Sequence, residues 1–468
     1  MQSTGELPGL SVEVVRPGAG VWPYAATTLV FLVSRLLLRG LGIAFNGEAL
    51  DWYWQVLDPA LLRAALAESL VHLHVQPPLF NLLIGLASKL FHDPVTALAW
   101  MWTASGLCMT LTIQATLQRL GWPGRFAAPA AVACALSLPW IAYENWLFYD
   151  FPCTALLAFG GYCLLRAAGR ADHRWAAAFA ATLLALAWTR SLFHLAWVIA
   201  AAVLFVASSP GARRRATLWM LVPALLVVGL FAKNAAVFGF FGSSSWLGLS
   251  LTKMTVQRLS PEERAAMIRD GRISAYAAVP PFGPLAAYEA ITGARFTDDP
   301  LPALGARVRS SGNPNFNHRA FVEIAGVRFQ DAVAVVRMRP DVYVDAVRSA
   351  VRRFFSPTIH YPPFERTLIL LEPAYRLYVA TFGAAAVAVL VYALALLFAA
   401  AALFRRDRSL PPGARAAAGW VLLNLLWVLV VGCLLEVGEN HRFRFTVTPL
   451  VWMTILGSLP SLRGIHLR

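Results

Sequence analysis

The polar segment from Asn46 to Asn81 carries four carboxylates (Glu48, Asp51, Asp58, Glu68), two histidines (His72, His74) and the break Gln76-Pro77-Pro78. Two more acids, Glu144 and Asp150, stand in YENWLFYDFP. Cations punctuate the chain at Arg35, Arg190 and Lys233 and in the run His441-Arg442-Phe443-Arg444. A carboxylate can take a proton from a hydroxyl in a positioned transfer. An arginine fork can hold a phosphate through paired hydrogen bonds. Together these residue types point to group transfer onto a hydroxyl from a phosphate-bearing donor.

The elements that must position them are apolar. The 468 residues are 58% hydrophobic and 14% charged, with a mean hydropathy of +0.59. A soluble domain carries roughly a quarter charged residues, so this composition excludes one. Apolar runs long enough to cross about 30 Å of hydrocarbon recur along the chain. The net charge of +15 does not indicate a nucleic-acid partner, because the arginines sit in short clusters between apolar runs. That is the positive-inside pattern of cytoplasmic loops. The five cysteines lie in or beside apolar runs without a CxxC, which argues against disulfides and structural zinc. The first 20 residues lack the layout of a cleaved signal peptide, so the first span is expected to direct insertion.

Taken in order, the apolar runs predict ten spans. They are 22–45, 95–117, 126–143, 152–165, a tight pair within 175–209 with Arg190 at its tip, 216–232, 373–404, 420–435 and 446–459. Residues 78–91 are too short to cross and are expected to lie at the interface. Residues 233–372 are polar, mixed in charge and rich in turn residues, the pattern of an extracytoplasmic soluble domain. The expected organisation is therefore a membrane module over 1–232 whose first outer loop is 46–91, the domain 233–372, and a second membrane module over 373–468. Under this count each tight arginine cluster, and both termini, face the cytoplasm. The 46–77 loop, Glu144, Asp150, Arg190, the 233–372 domain and 439–444 share the outer face.

Each candidate also has a plain structural reading. Asp51 could cap an interfacial helix, and Glu48 is open to the same reading. Asp58-Pro59 is a good helix start. Glu144 and Asp150 could be solvated loop charges, and any one arginine at the end of a span could be snorkelling. His72 and His74 lack a third ligand at usable spacing for a metal, so no cofactor is required, although a divalent metal is compatible with the outer-loop acids. The prolines force an extended turn whatever the histidines do. Asn313, Asn315, Asn317 and His318 could bind a glycan through their amides, and read first as successive turns. The run Ser243-Ser244-Ser245-Trp246 stands beside the membrane, where it would line an acceptor entrance.

The order of Asp51 after the first span, then His74-x-x-Pro77-Pro78-Leu79, then a short interfacial helix, resembles the GT-C superfamily of membrane glycosyltransferases. It is nearest to the protein O-mannosyltransferases and aminoarabinose lipid A transferases. Asp51 precedes His74 by 23 positions (74 − 51), similar to the mannosyltransferase layout. The resemblance covers 24–235 and 374–460. It implies Asp51 as catalytic base, Glu144 or Asp150 as the second-loop acid, Arg190 as the basic residue between short spans, and HRFRFTVTP as the motif before the last span. The sequence departs from the family in having Asp51-Trp52 where an Asp-Glu pair is common, and HVQPPL where HPPL is usual.

The expectation is an α-helical polytopic membrane protein of about ten spans, with a GT-C-like layout, in a bacterial inner membrane. It would be an inverting glycosyltransferase that moves a sugar from a polyprenyl-phosphate donor to a glycan, lipid or protein acceptor at the outer face. Catalysis would fall to Asp51, Glu144 and Asp150. Binding would fall to Arg35, Glu48, Asp58, His72, His74, Gln76, Arg190, Lys233, Trp246, His441, Arg442 and Arg444. Two other classes fit the composition. A flippase for a lipid-linked saccharide would show internal repeats, and none is evident. A non-catalytic assembly factor would tolerate loss of Asp51 and Glu144.

Overall fold

The computed structural model describes residues 21–463 except 170–171, 294, 406–409 and 412, with the backbone alone for 459–463. Arg170, Arg406, Arg408, Arg468 and both termini, which enter the expected orientation, lie outside the described residues. Among the described residues the chain is all helix, with isolated bridges such as Asn46 with Trp146 and no strand.

Helices run through all ten segments read as spans. Among the described residues five helices are long and apolar enough to cross a membrane: Val21–Gly40, Pro94–Arg119, Pro210–Phe238, Ala385–Phe404 and Ala414–Leu435. Gly124–Ala135 and Leu138–Glu144 would add a sixth if taken as one span bent by 61°. The bend follows from Pro139, which cannot continue the preceding ladder. The remaining helices are shorter or more polar. Leu195–Ala207 has 13 residues, a rise of about 20 Å, which falls short of the hydrocarbon thickness.

Local chemistry accounts for the ends that matter. Asp93 accepts from the Thr96 N–H with Pro94 at the first helical position, so Pro94–Arg119 starts sharply. His194 caps Leu195–Ala207, which leaves Arg190 in the turn after His173–Thr189. The loop after the first helix breaks into Ala49–Trp52, Pro59–Ala64 and Leu66–Val71, and Leu79–Leu90 follows the two prolines. Gly85 lets this last helix sit against Leu66, whose side chain lies 2.3 Å from where a Cβ would be.

The segment 233–372 contributes Leu247–Met254, Ala320–Met338 and Pro340–Phe354. Its large apolar residues do not form a separate core. Trp246, Leu249, Phe316, Phe321 and Phe354 belong to the same buried cluster as Phe31, Trp102, Trp197 and Trp420 of the membrane helices. Among the described residues only a small satellite around Val256, Met267 and Val335 is its own.

Hydrogen bonds to backbone carbonyls sew these loops together. Asn46 donates to Asn145 O at 2.8 Å and Leu147 donates to Asn46 O at 2.9 Å, joining the first and second loops. Ser245 donates to His74 O at 2.9 Å, and the Arg309 guanidinium donates to the carbonyls of Asp51, Tyr53 and Val56.

Candidate active site

These loops enclose a cavity of about 890 Å³. Its walls combine aromatic rings, among them Trp54, Trp246, Phe282, Trp427 and Phe443, with the charged residues Arg190, Lys253, Glu436, Glu439 and Arg442.

The charged wall is built from helix ends. Asp150 opens Asp150–Ala167, where the helix dipole favours an anion, and Arg190 follows the last turn of His173–Thr189, where it favours a cation. The two form an ion pair with side chains 0% and 3% exposed. Arg442 lies in the first turn of Asn440–Arg463, an unfavourable place for a cation. Two carboxylates compensate: Asp150 Oδ2 at 3.3 Å from Nε and Glu439 Oε2 at 2.9 Å from Nη2. Asp150 thus sits between two guanidiniums. Arg190 rests 4.6 Å from the Phe443 ring centroid, and Arg442 4.4 Å from that of Phe148. Arg190 Nη2 and Arg442 Nη1 are buried with no hydrogen-bond partner. Buried donors are rarely left unpaired. Two on adjacent cavity-lining guanidiniums are what an oxyanion would complete.

The acidic wall is the turn Glu436-Val437-Gly438-Glu439. Gly438 has φ +139, a conformation that favours glycine. Asn440 ties the turn back by donating to Gly432 O and Glu436 O, both at 2.9 Å. Glu436 pairs with Lys253. Burial pushes the Glu436 carboxyl above the usual range, with Lys253 opposing. Burial also acts to raise Glu439, but Arg442, the Tyr361 hydroxyl and Lys253 outweigh it and hold Glu439 below the usual range. Tyr361 donates to Glu439 Oε1 at 2.5 Å, and burial keeps that phenol protonated.

The residues singled out from the sequence separate into groups. Gln76, Arg190, Trp246 and Arg442 line the cavity, and Asp150 stands behind the two arginines. Asp51 has an exposed side chain that is not on the wall, although its neighbours Trp52 to Gln55 are. Glu48 is also exposed. Asp58 caps Pro59–Ala64 and accepts from the Ser310 N–H and hydroxyl, so it fastens the first loop to the 309–313 turn. Glu144 and Arg35 pair with each other, joined by the Trp140 indole at 3.0 Å, away from the cavity. Lys233 donates to Leu73 O at 2.8 Å and Arg444 to Ser356 O at 2.8 Å, both as braces. His441 is buried beside Tyr361. His72 and His74 face different partners, Glu68 O for the first and Ser245 with Asn317 O for the second. Among the described residues no three of His, Cys, Asp and Glu gather to hold a metal ion.

No protein-family model matches this sequence, and no curated protein does. Two solved structures of ArnT from Cupriavidus metallidurans, an aminoarabinose lipid A transferase, are its structural neighbours. The apo structure is 14% identical, with 93% of this chain and 77% of that chain covered and a TM-score of 0.31. The structure bound to undecaprenyl phosphate is 15% identical, with 95% and 78% covered and a TM-score of 0.32.

Lys253, Tyr361, Glu436 and Glu439 are among the wall residues that escaped sequence reasoning. The last two had a signal. EVGEN immediately follows a long apolar run and places two acids three apart in a glycine turn, beside the cations that did attract notice. Lys253 and Tyr361 had none, because only folding carries 233–372 back over the membrane helices.

Proposed function

We propose that this protein is an inverting glycosyltransferase of a bacterial inner membrane that takes a sugar from a polyprenyl-phosphate donor. The observation that carries the reading is the pair Arg190 and Arg442. Both are buried on the cavity wall with unpaired donors, and both are oriented by one carboxylate, Asp150. Guanidiniums held in advance bind a phosphate oxyanion without reorganising.

Charge bookkeeping supports Glu439 as the base. Arg190, Arg442 and Lys253 balance Asp150, Glu436 and Glu439, so the unliganded site is neutral. A sugar-phosphate-lipid diester enters with one negative charge and leaves as a monoester able to carry two. The acceptor oxygen attacks the anomeric carbon, the bond from that carbon to the phosphate oxygen breaks, and the acceptor proton goes to Glu439. Neutralising Glu439 offsets the charge gained by the departing phosphate. Glu439 is half-buried on the wall and ionised in the unliganded site, so it has room for a proton; Arg442 and Tyr361 lower its basicity, and the second negative charge on the departing phosphate opposes them. Asp51, at the rim beside Trp52, is the competing base that the family resemblance implies.

The test is release of polyprenyl phosphate, read by mass spectrometry, with undecaprenyl-phosphate sugars as donors and a membrane extract as acceptor source. We expect release by the native protein and a fall of about 10²-fold or more in Glu439→Gln, with Asp51→Asn less affected. The reverse order would return the base to Asp51. Absence of release from every donor would defeat the reading.

A further inference from the structure

We propose that the cavity has a second compartment that holds a saccharide ring between the Trp54 indole and the neighbouring Gln76 and Trp246 side chains. The inference rests on the transferase reading and names what the aromatic wall is for. Trp54 is 43% exposed although its ring stacks on Phe282, with centroids 4.5 Å apart and planes at 24°. Phe316 backs it at 5.2 Å. Trp246 meets the same Phe282 edge-on at 5.1 Å, so one phenylalanine sets both indoles. The crossing of 74–76 with 243–246 is pinned by Ser245 N–H to His74 O at 2.9 Å and by the Ser244 hydroxyl to Val75 O at 2.6 Å. That crossing holds together the two segments that carry Gln76 and Trp246, both of which line the cavity.

Two polar atoms of these lining residues are buried without a partner: the acceptor Gln76 Oε1 and the donor Trp246 Nε1, on residues that are 8% and 6% exposed. One unmatched acceptor and one unmatched donor call for a ligand group that is both. A pyranose supplies hydroxyls, which donate and accept, next to a C–H face that packs on an indole. A lipid chain would cover the indole but leave both polar atoms unpaired. The side chain of a protein acceptor offers the hydroxyl without the ring face. The ring could belong to the donor or to the acceptor, and the same experiment separates them.

Saturation-transfer NMR on the full-length protein in detergent reads the compartment directly, with methyl α-D-mannopyranoside, methyl β-D-glucopyranoside and methyl β-D-galactopyranoside as probes. We expect saturation of the ring C–H protons of at least one glycoside. Trp54→Ala and Gln76→Leu should each weaken it about threefold or more, and Trp54→Phe should restore much of it. Trp54 is exposed, so its truncation leaves the core intact, and thermal unfolding of each variant checks folding. Undiminished saturation in folded Trp54→Ala and Gln76→Leu would overturn the proposal, as would no saturation by any probe in the native protein. Where the proposal holds, displacement by the sugar-bearing lipid but not by bare undecaprenyl phosphate assigns the ring to the donor. Displacement by neither assigns it to the acceptor. Saturation needs no turnover, so a ring site without polyprenyl phosphate release would defeat the transferase reading alone.

Discussion

Arg35 with Glu144 and Arg190 with Asp150 are both buried arginine–carboxylate pairs, yet only the second borders the cavity. Glu144 uses both oxygens on Arg35 and takes a further bond from Trp140, so that pair closes on itself. Even Gly106 is shaped to it, since a Cβ there would come within 2.9 Å of Glu144 Oε2. Asp150 shares its oxygens between two guanidiniums that keep donors to spare. The two sites should therefore fail differently. Arg190→Gln should raise the donor KM about tenfold or more through loss of a charged hydrogen bond. Arg35→Gln should leave the donor KM unchanged but lower the unfolding midpoint, since stranding one partner of a buried pair costs about 3–5 kcal/mol. Steady-state kinetics and thermal melts in detergent separate them. A raised donor KM in folded Arg35→Gln would return that residue to the site.

At the scale of elements, His74 is the clip that holds the loop after the first helix. Its N–H meets Asn317 Oδ1 at 3.0 Å, its ring nitrogens meet Ser245 Oγ at 2.9 Å and Asn317 O at 3.0 Å, and its side chain is fully buried. Burial, with Lys233 adding repulsion, drives its pKa down to about 3 from 6.5. The folded protein therefore resists protonating His74 where the unfolded chain accepts it. The resulting stability is complete above pH 6.5 and is lost as pH falls from there towards 3. Unfolding midpoints should drop through that window in the native protein. They should drop less steeply in His74→Gln, which keeps a polar side chain but cannot charge. Equal slopes would show that another group sets the acid limit.

Across the whole molecule, one buried cluster spans the membrane helices and the segment 233–372. Trp246, Phe316 and Phe354 sit in it beside residues of the apolar helices, and Tyr343 donates to Leu434 O at 2.9 Å across the junction. A segment that borrows its core should not stand alone. Residues 233–372 expressed as a fragment should lack a cooperative melt, because the satellite around Val256 and Val335 is too small a core to offset chain entropy. A sharp transition in that fragment would mark it as an independent domain.

The sequence by itself determined that this chain is helical and built for a membrane, because apolar run length and composition are local properties that burial in hydrocarbon demands. It also exposed the polar residues that such a chain carries for a reason, among them Gln76, Asp150, Arg190, Trp246 and Arg442. Only the tertiary structure decided which of them share a cavity. Glu144 and Asp150 are six positions apart, yet one closes on Arg35 and the other orients Arg190 and Arg442. Lys253 and Tyr361 reach the same cavity from 183 and 78 positions away from their partners Glu436 and Glu439. No local pattern encodes such pairings. They arise where the ends of helices that are far apart in sequence meet and their loops must satisfy one another's polar groups.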